Sequence, residues 1–226
     1  MNKYILNAKN IFKSYPVGKD KRLEVLKGIN ISIKSGEILS IIGPSGVGKS
    51  TLLHIMGALD NPDKGDVIIN NQNIYSMLDK KLAYFRNQEI GFVFQFHYLL
   101  PEFTALENVA MPGLINGENR IDAFKKAEYL LGKVNLQQRL FHKPNELSGG
   151  ENQRVAFARS LMNDPLMILA DEPSGNLDQA NSKFLHEMMW ELVREKNKAF
   201  VIVTHEKDLA NKTDRIIELF DGKVKK

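Results

Sequence analysis

Residues Gly43, Pro44, Ser45, Gly46, Val47, Gly48, Lys49, Ser50 and Thr51 satisfy G-x-x-x-x-G-K-[ST] at every fixed position, directly after an apolar run at 37–42. Such a loop works when a strand delivers it and a helix continues it, because the helix's leading amides must point at the bound anion. The chain supplies both, with the apolar run before the loop and TLLHIMGA at 51–58 after it. Glycines let the backbone approach phosphate oxygens closely, and successive N–H groups form an anion nest. In that frame Lys49 sits on the β- and γ-phosphates of a nucleoside triphosphate and the Ser50 hydroxyl ligates Mg2+. The motif therefore demands a nucleotide-binding α/β domain. Alone, it leaves kinases, GTPases, helicases and transport motors undivided.

The rest of the chain agrees with that class. Short Ile-, Val- and Phe-rich runs alternate with longer stretches of helical periodicity, the pattern of a mostly parallel sheet with crossover helices. Strands are expected at 37–42, 90–94, 166–170 and 199–204, and helices at 121–134, 152–162 and 181–196. The opening part differs, since 4–12, 29–33 and 66–69 have few helices between them, which predicts a small antiparallel sheet. Residues 95–147 hold no convincing strand, only helix-like segments broken by Pro101, Pro112, Gly113, Gly117 and Pro144. They read as a helical insertion. Asp221-Gly222 reads as a tight hairpin turn between 215–220 and 223–224. The expected organisation is one domain over 1–226, its core drawn from 1–94 and 148–226 and its helical subdomain from 95–147.

A second element carries acid. LMILA at 166–170 has the look of a buried strand and ends in Asp171-Glu172. At a strand's carboxyl end beside a phosphate loop, Asp171 can hold Mg2+ directly or through water, and Glu172 can polarise the attacking water as general base. Upstream, Leu147-Ser148-Gly149-Gly150-Glu151 leads into a helical stretch, so Ser148 and the glycines make another helix N-terminus able to grip phosphate. This LSGGE, placed between the phosphate loop and the acidic strand, resembles the signature of the ABC ATPase family. The resemblance covers essentially the whole chain.

It implies a RecA-like P-loop NTPase core with an antiparallel β-subdomain and a helical subdomain, and ATP hydrolysis with ATP and Mg2+ bound. It implies a homodimer in which Ser148, Gly149 and Gly150 of one copy face the phosphate loop of the other. By position, Tyr15 is where an aromatic stacks on adenine, Gln95 is the Mg2+-touching residue that couples nucleotide to transporter, and Asp178 in SGNLD lies at the nucleotide. His205, after the last core strand, joins Lys49 and Glu172 in catalysis. Asn152 and Ser174 depart mildly from the family's usual residues and touch no catalytic role.

After Gln95 the chain reads FHYLLPEFTALENV, which resembles the lipoprotein-releasing branch of the family. That resemblance implies a cassette powering release of lipoproteins from the inner membrane towards the outer membrane. Macrolide-export and cell-division cassettes share LSGGE and ADEP-GNLD and are the alternatives. The segment 95–103 is the expected contact with integral membrane transporter subunits. From the residues alone, Phe96, Tyr98, Leu99, Leu100 and Phe103 give either an exposed apolar patch or a buried subdomain core.

Composition narrows the remaining classes. Without cysteine there is no disulfide, thiolate metal site or Cys nucleophile, so metal chemistry must use oxygen or histidine. The longest apolar runs, at 38–42 and 199–203, fall far short of the roughly 20 residues that cross a bilayer, and the N-terminus lacks a signal-peptide pattern. Membrane association is therefore expected through a partner only, and the family resemblance implies that it lies at the cytoplasmic face of the bacterial inner membrane. Net charge is +4, and the Lys and Arg residues are scattered except at 19–22 and 223–226, which disfavours a nucleic-acid partner. ABC proteins that act on DNA or ribosomes carry paired cassettes, coiled-coil insertions or basic extensions, and this sequence shows none.

Overall fold

The computed structural model describes residues 4–18 and 21–225. Lys19, Asp20 and Lys226, which belong to the two basic clusters, and the first three residues of the N-terminal stretch lie outside the described residues. The chain divides into two compact units, Met1–Ala83 with Ala199–Lys226, and Tyr84–Lys198.

The first unit holds the expected antiparallel sheet, built from β1 (Tyr4–Val17), β2 (Lys21–Lys34), β4 (Lys64–Ile69) and β5 (Gln72–Asn73) in the order β2-β1-β4-β5. Leu6 and Ala8 on β1, and Ile29, Ile31 and Ile33 on β2, alternate onto a buried face. A register shift between Ala8 and Ile11, with Asn10 at φ 49°, breaks the period of two and returns Ile11 to the core. Both long strands run well past the expected 4–12 and 29–33. Their outer halves carry mostly exposed residues and gain order by pairing with each other, Ser14 opposite Glu24 and Val17 opposite Lys21, so hydrophobic alternation could not mark them.

In the same unit β3 (Ile38–Ile42) lies between β8 (Ala199–Val203) and β9 (Arg215–Phe220), parallel to both. The strands β3 and β8 are buried at nearly every position, so both faces of each are covered and their apolar runs are unbroken. The strand β10 (Lys223–Val224) folds back on β9 through Asp221-Gly222, both at positive φ (45° and 70°) as a tight two-residue hairpin turn requires. The helix α1 (Lys49–Met56) starts two residues before the expected 51–58, inside the motif, and ends at Gly57.

The chain leaves the first unit within α2 (Asp79–Glu89), a helix that apolar spacing hardly marks because Phe85 is its one buried residue. In the second unit β6 (Ile90–Phe94) pairs in parallel with β7 (Met167–Asp171), Ile90 opposite Met167 and Phe94 opposite Asp171. Helices α3 (Ala105–Ile115), α4 (Arg120–Lys133), α5 (Gly149–Ser160) and α6 (Gln179–Glu195) complete it, and no strand is described between 95 and 147.

Pro112 and Gly113 do not break the helical stretch as expected; α3 runs through both. A Thr104–Glu107 capping box starts the helix, and the Pro112 carbonyl accepts from the side chains of Asn87 and Asn163 at 3.1 and 3.2 Å. Gly113 marks a close approach instead, since a Cβ there would lie 2.6 Å from Met162 Cε. The helix α7 (Lys207–Ala210) follows β8 in the first unit. Among the described residues no helix is long and apolar enough to cross a membrane.

Candidate active site

In the first unit the loop leaves β3 with Gly43, Gly46 and Gly48 at φ 150°, 76° and 102°. Two of these glycines are required twice over. A Cβ at Gly43 would stand 2.4 Å from the Leu219 carbonyl oxygen, and one at Gly48 would stand 2.8 Å from Leu26 Cδ2. The helix that follows is uncapped: Gly48 provides no side-chain hydrogen bond and the first turn of α1 holds no acid. By contrast α3, α4, α5 and α6 are capped by Thr104, Asn119, Ser148 and Asp178. The leading amides and the positive end of the α1 dipole therefore suit an anion.

Lys49, 7% exposed, donates its Nζ to the Gly43 and Pro44 carbonyls at 2.9 and 3.0 Å. Two of the ammonium's three protons thus hold it across its own loop, which leaves a third for a phosphate oxygen. Ser50 is exposed in the first turn of α1. Tyr15 is tied to the same helix start: its hydroxyl donates to Asp60 Oδ2 at 2.5 Å and is hydrogen-bonded to the Thr51 side chain. Burial, then the Asp60 hydrogen bond, pushes the phenol's pKa up. The Lys13 ammonium lies 5.0 Å from the Tyr15 ring centroid. His205, exposed, follows β8 at the carboxyl edge of the strands, where the Thr204 amide bonds the Ile41 carbonyl at 3.2 Å. The first unit thus gathers Tyr15, the loop 43–51 and His205.

In the second unit the register Phe94–Asp171 brings Gln95 and Glu172 off adjacent strand ends together. The Gln95 Nε2 donates to Asn176 Oδ1 at 3.4 Å, and Asn176 Nδ2 donates to the Gln95 carbonyl at 3.2 Å. Gly175 fits beneath that amide, where a Cβ would come within 2.9 Å of Nε2. Glu172 has φ 45°, a left-handed conformation that is uncommon for such a residue and that collects at functional sites. Asp171 and Glu172 are both half-buried.

Also in this unit, Ser148 caps α5 reciprocally: its Oγ accepts from the Glu151 amide at 3.2 Å while Glu151 accepts from the Ser148 amide at 2.8 Å. Arg139 Nε donates to the same carboxylate at 2.9 Å. The Ser148 amide and the Arg139 guanidinium hold the Glu151 pKa down at about 2. Asp178 caps α6, accepting from the Asn181 amide at 2.9 Å, which with the Asn181 side chain lowers its pKa.

Ser50, Asp171 and Gln95 offer a hydroxyl, a carboxylate and an amide oxygen, the hard donors that suit Mg2+. Among the described residues no three or more His, Cys, Asp or Glu side chains cluster into a cage of their own. Sequence reasoning passed over Asn176, Gln153 and Arg159, all of which fasten the residues around Gln95. The D-Q-A-N run did carry a capping signal for Asp178, a polar acceptor just before a helix.

The chain matches the ABC transporter family model over residues 26–175. It is 53% identical over 220 residues to the lipoprotein-releasing system ATP-binding protein LolD of Cytophaga hutchinsonii, covering 97% of this chain and 98% of that one. It is 54% identical over 218 residues to LolD of Porphyromonas gingivalis, covering 96% and 97%. Among solved structures it is similar to the dimeric post-hydrolysis state of the ATP-binding cassette MJ0796 bound to ADP and Pi, with a TM-score of 0.90, 41% identity and 98% and 97% coverage.

Proposed function

This chain belongs to the ABC transporter family as an ATP-hydrolysing cassette, and we propose that it powers the release of lipoproteins from the inner membrane towards the outer membrane. The observation that carries this reading is the similarity to LolD proteins over nearly the full length of both chains. The exposed Phe96, Tyr98, Leu100 and Phe103 support it, because an apolar surface directly after Gln95 suits docking to membrane subunits. The cassette then works as a homodimer on the cytoplasmic face, held to the membrane by its partners.

Each residue has a defined task. Lys49 and the leading amides of α1 take the triphosphate, Tyr15 stacks on the adenine, and Ser50, Asp171 and Gln95 would hold Mg2+. When bound, Mg2+ neutralises charge on the β- and γ-phosphate oxygens. Glu172 accepts a proton from water as the water oxygen bonds the γ-phosphorus and the bond from that phosphorus to the ADP oxygen breaks. His205 orients the γ-phosphate. The Ser148 hydroxyl and the amides of Gly149 and Gly150 of the second copy grip the same phosphate, and Asp178 lies beside them.

The test is purification of the tagged chain from detergent-solubilised membranes, followed by reconstitution of the co-eluting integral subunits with an acylated protein in proteoliposomes. Subunits with four spans and a large periplasmic domain, and ATP-dependent release of the acylated protein, are expected. A lone small membrane subunit, or release that is the same for wild type and Glu172→Gln, overturns the reading.

A further inference from the structure

The segment after Gln95 has an unusual construction: its apolar side chains point out while its backbone is pinned from within. Phe96 and Tyr98 are 63% and 67% exposed. Beneath them, Arg159 on α5 spreads its guanidinium over two successive carbonyls, Nη2 to His97 and Nη1 to Tyr98, each at 2.7 Å. Six residues earlier on α5, Gln153, 1% exposed, donates to the Phe94 carbonyl at 3.0 Å. At the start of α5 the His97 side chain hydrogen-bonds the backbone of Gly149. Further along, the buried Asn108 of α3 bonds the Leu100 amide at 2.8 Å and the Leu100, Phe103 and Thr104 carbonyls at 3.0–3.1 Å.

The choice of arginine is informative. Burial lowers its pKa, and among the described residues no carboxylate is paired with it, so its charge is set against carbonyl dipoles. A cation in that position is costly unless its hydrogen bonds are good, and a planar fork is the side chain that can serve two adjacent carbonyls at once. These bonds attach the outward-facing segment to α5, and α5 begins with Ser148, Gly149 and Gly150. Its 12 residues make a rod about 18 Å long, which moves as a unit when any part of it is pulled.

We propose that Arg159 and Gln153 are positioning residues that carry docking at 95–103 to the phosphate-gripping start of α5. The inference rests on the docking surface proposed above and adds the linkage that makes docking change turnover. Neither residue touches nucleotide in this scheme. Each acts by fixing where the outer segment stands relative to the helix.

The experiment compares wild type, Arg159→Lys, Gln153→Ala and Phe96→Asp in the complex with the co-purified membrane subunits. It measures complex yield, and kcat and KM for ATP with and without those subunits. Arg159→Lys and Gln153→Ala should assemble at wild-type yield yet lower the ratio of subunit-stimulated to unstimulated kcat by roughly 10-fold, with KM for ATP changing less than kcat. Full stimulation in both variants overturns the linkage, as does an equal fall in stimulated and unstimulated kcat, which marks a purely structural role. Should Arg159→Lys fail to fold, Gln153→Ala decides by the same ratio. Phe96→Asp should lose assembly; if it assembles normally, the docking surface itself is wrong, a result separable from the other two variants.

Discussion

Exchanging Glu172 for glutamine keeps the side chain's length and shape and removes its ability to take a proton. The backbone demand is the same for both residues: the φ of 45° stays, and the pairing of Phe94 with Asp171 still delivers the side chain beside Gln95. The loss should therefore fall on chemistry. General-base catalysis contributes on the order of 10²–10⁴ in rate, or about 2.7–5.4 kcal/mol of barrier at ~1.36 kcal/mol per decade. Phosphate release at saturating ATP gives kcat, nucleotide titration gives affinity, and light scattering with ATP reports the dimer, which should accumulate. Glu172→Gly supplies the control for strain. Removing a left-handed non-glycine residue should return about 1 kcal/mol, or roughly 2–4 °C in Tm for a chain of this length, while turnover is lost as with glutamine. Turnover of Glu172→Gln within a factor of about two of wild type would refute the role of general base, which should supply at least ~10².

Other variants probe the remaining parts. Lys49→Ala removes a charge-assisted contact worth about 1.5–3 kcal/mol and should weaken ATP binding roughly 10- to 100-fold by calorimetry; unchanged affinity rejects the loop assignment. Gly149→Ala places its methyl 3.7 Å from Leu177 Cδ2, an ordinary contact, so α5 should gain about 0.4–1 kcal/mol in a urea melt while ATPase activity falls. Full activity in that variant denies these amides a part in phosphate binding. Glu151 has its pKa held at about 2 against an ordinary 4.5, so between those values the unfolded chain binds more protons. Its stabilising effect is complete above pH ~4.5 and disappears as pH falls through about 2. Urea melts of wild type and Glu151→Gln should converge over that acid range, and a gap that widens there contradicts the ion pair with Arg139.

The elements that sequence reasoning located are those whose chemistry is local. The run 37–42 and the glycines after it specify a strand, a loop and a helix start within a few residues, and LSGGE writes its own cap through Ser148 and Glu151. Elements stabilised by distant partners were harder to read. Glycine at 113 looks like a breaker until Met162 is seen against it, and the outer half of β1 acquires its structure from β2. The fasteners Gln153, Arg159 and Asn176 were illegible for a more basic reason. All three donate to backbone carbonyls, at Phe94, at His97 and Tyr98, and at Gln95, and every residue carries a carbonyl, so nothing in the acceptor's identity marks the pair. The left-handed turn at Glu172 is silent in the same way.

The two helix starts proposed to meet phosphate reach that end by different routes, and the difference explains where the glycines stand. At α1 no side chain caps the helix, and Gly46 and Gly48 take positive φ, so the leading amides suit an anion. At α5 the capping box has already consumed two donors, the amides of Ser148 and Glu151. The two amides between them belong to Gly149 and Gly150, neither of which has positive φ. Backbone freedom is therefore not what those glycines provide, and in a helix they cost stability relative to alanine. What they do provide is bare backbone over the only leading amides the box leaves unused. A sequence that keeps the cap for folding and the glycines for access has divided one helix turn between stability and binding.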